Sequence, residues 1–211
     1  MAHPKPIEAG HRADRARRMW AAAYNLPNLL TSMRLLLAIV TFALIAWQFY
    51  LTSLVLFVIA AGTDWLDGYF ARKYNQVTTL GRILDPFVDK VIVCGAFIFL
   101  TAVPAMLETD WGLRPWMVVV IVGRELLVTA LRSFIEDRGG DFSANWPGKI
   151  KMVFQCIAAG VCLFYLAYEK PTADAPLWVW WAMIVSLWSA VLLTIHSGLI
   201  YLRAVARLMG G

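Results

Sequence analysis

Long apolar stretches recur along this chain, and each must satisfy its own backbone, because hydrocarbon offers no water to free N–H and C=O groups. Leu35 to Ala46 and Val91 to Val103 are apolar on all sides, whereas the strands of a membrane barrel alternate polar and apolar residues. Helices follow. The composition agrees, since 60% of the 211 residues are hydrophobic and 16% charged, well away from a soluble domain. A helix crosses the hydrocarbon in about 20 residues. Six segments qualify: Thr31 to Tyr50, Leu51 to Ala71, Ile83 to Val103, Pro115 to Phe134, Ile150 to Tyr168, and Leu177 to Leu199 with a continuation toward Met209. The expected fold is an all-α integral membrane protein of six transmembrane helices, the first two joined by a very short turn near Phe49 to Ser53. It divides into residues 1–27, a cytoplasmic N-terminal segment, and residues 28–211, the membrane domain.

Ahead of the spans, Glu8 to Tyr24 carries Arg12, Arg15, Arg17 and Arg18, then Met19, Trp20 and Tyr24, before a break at Pro27. This pattern predicts an interfacial amphipathic helix on an anionic membrane surface. A solvated basic tail that sets topology is the competing reading. No apolar core and no small-residue cleavage site follow as a signal peptide would require.

The net charge of +5 is gathered at helix ends rather than over a soluble face, which argues against nucleic acid as a partner. One side of the bundle receives the N-terminal arginines, Arg72, Lys73, Arg82, Arg138, Lys149, Lys151, Arg203 and Arg207. The other receives Glu108, Asp110, Arg114, Glu169, Lys170 and Asp174. The positive-inside rule makes the first side cytoplasmic, with both termini inside. Trp47, Trp111, Trp116, Trp178, Trp180 and Trp181 fall at the far ends of spans, where indole prefers the interface. Cys94, Cys156 and Cys162 lie in apolar runs without metal-ligand spacing and read as small buried hydrophobes. His196, at depth in the sixth span, reads as a packing histidine bonded to a neighbouring helix.

Against this background the run from Asp64 to Asp89 places four carboxylates beside apolar segments, where charge is expensive. Asp64 and Asp67 are three apart near the end of the second span, and Asp85 and Asp89 four apart at the start of the third. On helices these spacings leave each pair on one face, about 60° and about 40° apart. Four carboxylates brought together must take up protons or bind cations. Oxygen-only ligands imply a hard metal, Mg²⁺ or Mn²⁺, and four of them suggest a two-metal site. Gly68 and Gly81 cost helix stability, about 1 kcal/mol each relative to alanine, so something should approach the backbone there. Ala71 extends that small surface, and Arg72 supplies a fixed positive charge suited to a phosphate. An ion pathway through the aspartates is the rival reading on composition alone.

A second set of charges lies further on. Arg124 and Arg132 fall in or at the end of the fourth span, Arg124 flanked by Val118 to Val122 and Leu126 to Leu131, and Lys149 opens the fifth after Pro147 and Gly148. Such a cluster suits a phosphorylated substrate, since arginine forks pair with phosphate and lysine adds a point charge. For Lys149 and Lys151, positive-inside anchoring is the competing reading. Glu125 would be a structural counter-ion, sharing a helix face with Arg132.

The pattern DxxDGxxAR, eight intervening residues, then GxxxDxxxD is carried by Asp64, Asp67, Gly68, Ala71, Arg72, Gly81, Asp85 and Asp89. In this the chain resembles, without departure, the signature of the CDP-alcohol phosphatidyltransferase family. NLPNLLTSMR from Asn25 to Arg34, GRELLVTALR from Gly123 to Arg132 and GKIKMVFQ from Gly148 to Gln155 are similar to the branch of that family that takes glycerol 3-phosphate. The resemblance implies a six-helix membrane enzyme, usually a homodimer, in the bacterial inner membrane with its active site on the cytoplasmic side. It would transfer a phosphatidyl group from CDP-diacylglycerol to sn-glycerol 3-phosphate and release CMP. It implies that Asp64, Asp67, Asp85 and Asp89 hold two divalent cations, with Asp89 also the catalytic base. Asn28, Thr31, Asp67, Gly68, Ala71, Arg72 and Gly81 would bind CDP, while Arg124, Arg132 and Lys149 would take the acceptor phosphate. Thr31 has a competing expectation, as N-cap of the first span. Cardiolipin synthesis or an inositol phosphate acceptor remain alternatives within the family, and an ion transporter outside it.

Overall fold

The computed structural model describes the backbone of residues 26–74, 79–136, 146–172 and 175–209, and the side chains of residues 29–63, 84–135, 148–168 and 175–206. Among these residues every regular element is a helix: α1 Leu26–Ala46, α2 Tyr50–Tyr74, α3 Thr79–Thr101, the short α4 Pro104–Glu108, α5 Pro115–Glu136, α6 Trp146–Thr172 and α7 Leu177–Met209. Six long helices therefore stand where the apolar periodicity predicts them. The interfacial helix expected over Glu8 to Tyr24 lies outside the described residues.

Three of the six, among the described residues, are long and apolar enough to cross a membrane: Leu29–Ala46, Gly148–Tyr168 and Leu177–Ala206. Tyr50–Thr63 is a shorter apolar piece. The helices α3 and α5 fall short of that pattern because charged residues interrupt each, among them Asp85, Asp89 and Lys90 in α3 and Arg124, Glu125 and Arg132 in α5.

The first helix starts earlier than the apolar run suggests. Pro27 stands in its first turn, where a missing N–H costs nothing and a fixed φ suits the helix. Thr31 is therefore interior to α1 and cannot be its N-cap. The turn to α2 is also displaced, to Trp47–Phe49. Gln48 takes the left-handed conformation (φ 65°), and the bonds from Phe49 N–H to Leu44 O and from Gln48 N–H to Ile45 O, both 2.9 Å, close a Schellman motif. This reverses the chain in three residues and lays α2 along α1.

Helix faces are sorted as the bilayer requires. On α1 the buried stripe is Thr31, Arg34, Ala38, Thr41 and Ile45, while Leu29, Met33, Leu36, Ile39 and Val40 face outward. On α7 the stripe runs from Val179 through Met183, Leu187, Val191, Thr194 and Ser197 to Tyr201, with Trp178, Trp181, Val185, Leu192 and Leu199 outside. Large apolar residues thus cover the outer faces, while the inner stripes carry Thr31, Arg34 and Thr41 on α1 and Thr194 and Ser197 on α7 among their apolar residues. Several inward hydroxyls return to the carbonyl one turn back: Thr41 to Leu37, Ser53 to Phe49 and Thr194 to Ala190.

Packing joins α6 to α7, α1 to both α2 and α3, α2 to α6, and α5 to α7 and α3. The apolar core occupies one half of the bundle, with Phe97, Leu100, Met106, Leu113, Met117, Ile121, Leu163 and Leu187 fully buried. In the other half the same helices carry their charges. Beyond the core, Arg114 closes the α4–α5 connection by donating to Leu107 O at 2.5 Å and Thr109 O at 3.4 Å. Trp188 Nε1 donates to Trp111 O at 3.2 Å, and its ring lies among those of Trp111 and Trp116. Of the cysteines, all free, Cys162 is buried and Cys94 and Cys156 half-buried. His196, expected to bond a neighbouring helix, faces outward with Ile195 instead, because Thr194 and Ser197 take the inward positions on either side.

Candidate active site

Two rungs join α1 to α3. Thr31 Oγ1 donates to Asp85 Oδ1 at 2.5 Å, and Arg34 Nη1 donates to Asp89 Oδ1 at 2.7 Å. The three-residue step on α1 and the four-residue step on α3 each advance about one helical turn, so the pairs stack along one interface. Only 1% of the Arg34 side chain reaches solvent, against 21% for Asp89. A buried guanidinium without a carboxylate would be costly, which makes the pair a structural as well as a chemical feature. Within α3, Pro86 lies between the two aspartates and removes one rung of the helical ladder.

Asp89 opens onto a cavity of about 850 Å³. Lys90 lines it from α3, Arg124, Glu125 and Arg132 from α5, Lys149, Lys151 and Gln155 from α6, and Tyr201 from α7. The spacing of Arg124, Val128 and Arg132 puts all three on one face of α5. The cavity therefore joins Arg124, Arg132 and Lys149, expected from the sequence to act together, to Asp89. Among the described residues five cations, Lys90, Arg124, Arg132, Lys149 and Lys151, line it with two carboxylates, Asp89 and Glu125. That excess of positive charge in a recess suits a multiply charged anion.

The wall of the cavity is a buried polar network. Lys151 Nζ donates to Glu125 Oε1, and lies 3.5 Å from Gln155 Oε1. Gln155 Nε2 donates to Thr194 Oγ1 at 2.9 Å. Arg124 Nη1 reaches Glu125 Oε1 at 3.3 Å, and its Nη2 donates to Ser197 Oγ at 2.5 Å. Lys151 is thus no surface anchor: it is 4% exposed and tied to α5. Glu125 serves as a counter-ion, as expected, with Lys151 across the helix interface and Arg124 beside it as its partners. Lys149, in contrast, is exposed at the cavity rim.

The side chains of Asn28, Asp64, Asp67, Gly68, Ala71, Arg72 and Gly81 lie outside the described set. The backbone of α2 is helical through Tyr74, and α2 packs beside α3. Among the described residues no three carboxylate, histidine or cysteine side chains gather as a metal cluster. Asp85 and Asp89 with Thr31 offer oxygen donors alone, which is ligand chemistry that fits a hard divalent cation.

Arg34, Lys151, Gln155, Ser197 and Tyr201 carry no role in the sequence-based site. Each had a signal: a polar residue set one or two turns from another within an otherwise apolar helix, as Lys151 is from Gln155.

The family model described as CDP-alcohol phosphatidyltransferase matches residues 24–196, a stretch that includes both rungs and most of the cavity. The chain is 37% identical over 195 residues to the CDP-diacylglycerol–glycerol-3-phosphate 3-phosphatidyltransferase of Bacillus subtilis (strain 168), covering 83% of this chain and 92% of that protein. It is 33% identical over 187 residues to the protein of the same name from Escherichia coli (strain K12), covering 86% of this chain and 94% of that one. The extent of these matches establishes that this chain belongs to the CDP-alcohol phosphatidyltransferase family.

Proposed function

We propose that this protein transfers the phosphatidyl group of CDP-diacylglycerol to sn-glycerol 3-phosphate, giving phosphatidylglycerophosphate and CMP in phospholipid biosynthesis. The relatives named for this reaction support it. The observation that carries it is the meeting of Asp89 with Arg124, Arg132 and Lys149 in one cavity.

Asp64, Asp67, Asp85 and Asp89 would hold two divalent cations, Mg²⁺ or Mn²⁺, which neutralise the pyrophosphate and the leaving CMP. Thr31 and Arg34 hold Asp85 and Asp89 on α3 before any substrate arrives. The cationic cavity takes the acceptor phosphate, with arginine forks for its oxygens and Lys149 at the mouth. That places the acceptor hydroxyl toward Asp89, which removes its proton. The oxygen of the 1-hydroxyl then bonds to the β-phosphorus, the bond from that phosphorus to the bridging oxygen breaks, and CMP leaves with the electron pair. CDP would lie against Gly68, Ala71 and Gly81, contacted by Asn28, Thr31, Asp67 and Arg72. Thr31 would then serve both the nucleotide and Asp85.

The charge excess also separates this acceptor from others. An acceptor without net charge, such as serine, would leave five cations against two carboxylates among the described lining residues, whereas a phosphate dianion offsets them. The same reading places the chain in the bacterial inner membrane as a homodimer with six crossings, an interfacial N-terminal helix, and both termini and the site on the cytoplasmic face. Purified protein with CDP-diacylglycerol and Mg²⁺ should release CMP with glycerol 3-phosphate and not with serine. CMP release driven equally well by phosphatidylglycerol or inositol phosphate would overturn the choice of acceptor.

A further inference from the structure

Arg124 is 9% exposed on α5, and its long side chain has several rotatable bonds, so something must decide where its guanidinium points. Three residues of α7 meet it along its length. At the stem, Gly198 leaves room: a Cβ there would stand 3.2 Å from Arg124 Cγ, tighter than ordinary packing. At the tip, Ser197 Oγ accepts from Nη2 at 2.5 Å. Over the face, the Tyr201 ring lies with its centroid 5.3 Å from the guanidinium carbon. Ser197 and Gly198 are adjacent and Tyr201 is one turn on, so a single face of α7 supplies all three.

The remaining contacts leave the fork incompletely used. The approach of Nη1 to Glu125 is long, at 3.3 Å, and that carboxylate also accepts from Lys151. Arg124 Nε is buried without a hydrogen-bond partner, an arrangement that costs stability unless a ligand completes it.

We propose that Ser197 and Gly198 are positioning residues for Arg124: the hydroxyl holds one guanidinium nitrogen, the missing Cβ admits the stem, and the fork is thereby aimed at the acceptor phosphate. The inference rests on the acceptor reading given above and adds to it a helix outside the Asp64 to Asp89 signature. Both residues act through Arg124 and neither needs to touch substrate.

The test is steady-state kinetics on the full-length purified enzyme, with glycerol 3-phosphate and CDP-diacylglycerol varied separately. Ser197→Ala should raise KM for glycerol 3-phosphate roughly tenfold and leave that for CDP-diacylglycerol within about twofold. Ser197→Thr, which keeps the hydroxyl, should recover most of the loss. Gly198→Ala should act in the same direction as Ser197→Ala, and serves as the second probe should Ser197→Ala not fold. In an Arg124→Lys background, where no Nη2 exists, Ser197→Ala should change KM by less than about twofold. A Ser197→Ala enzyme that matches wild type would overturn the proposal. So would a loss that persists in full in the Arg124→Lys background, or one that falls equally on both substrates. If wild type itself fails to use glycerol 3-phosphate, the function reading fails and this inference with it. If wild type turns over and Ser197→Ala is unchanged, only the positioning role is lost.

Discussion

Arg34 on α1 grips Asp89 on α3 across 2.7 Å while only 1% of the arginine side chain reaches solvent. The carboxylate expected to act as base is thus oriented by a buried cation. Arg34→Met removes one partner of a largely buried pair. A loss of about 2 kcal/mol in stability is expected, below the roughly 3–5 kcal/mol of a fully buried pair because Asp89 keeps some solvent. Turnover should fall by at least about tenfold, since Asp89 loses its fixed orientation. Arg34→Lys, with charge but no fork, should fall between. Thermal unfolding in detergent, together with CMP release, checks both.

Lys151 and Glu125 form the second buried pair, linking α6 to α5. Glu125→Gln leaves the lysine, 4% exposed, without its counter-charge and should cost about 3 kcal/mol. The double change Glu125→Leu with Lys151→Met should regain most of that stability, because both charges are gone. Activity should stay low in the double variant, because Arg124 loses the carboxylate beside it and the polar wall of the cavity is broken. Denaturation midpoints and kcat/KM on the singles and the double separate the two effects.

Thr31 is 2% exposed and donates to Asp85 at 2.5 Å. Thr31→Val keeps its shape and removes the donor, at an expected cost of about 1 kcal/mol. Thr31→Ser should retain the bond. A Mg²⁺ titration of activity should show a right shift for the valine variant and little for serine.

Two helix glycines should respond in opposite ways. A Cβ at Gly95 would run into the Phe42 ring, which is stacked on Phe99 with centroids 5.1 Å apart and so has little freedom to move. Gly95→Ala should destabilise by about 1–3 kcal/mol. Nothing lies within 4 Å of a Cβ at Gly62, so Gly62→Ala should be neutral or stabilise by up to about 1 kcal/mol. Unfolding temperatures of the two variants provide the comparison.

The helices were legible because apolar periodicity and the need to satisfy the backbone both act locally. The cavity residues Arg124, Arg132 and Lys149 were legible because charge beside long apolar runs demands a reason. Partnerships across helices were not. Nothing along the chain says that Arg34 meets Asp89, 55 residues away, or that Ser197 meets Arg124, 73 away. Those contacts arise from how α1 meets α3 and α5 meets α7. For Lys151, surface anchoring and a place among the cluster were both open readings, and its burial was not legible because its partner Glu125 stands on another helix, 26 residues away. The competing expectation for Thr31, an N-cap, fails because the helix begins through Pro27 rather than after it.

The reaction is tested most directly by following labelled glycerol 3-phosphate into lipid with purified protein, CDP-diacylglycerol and Mg²⁺, alongside Asp89→Asn. Label should appear in phosphatidylglycerophosphate in step with CMP, one for one, and the folded Asp89→Asn variant should form neither. CMP release without label in lipid, or label transfer undiminished in Asp89→Asn, would contradict the account.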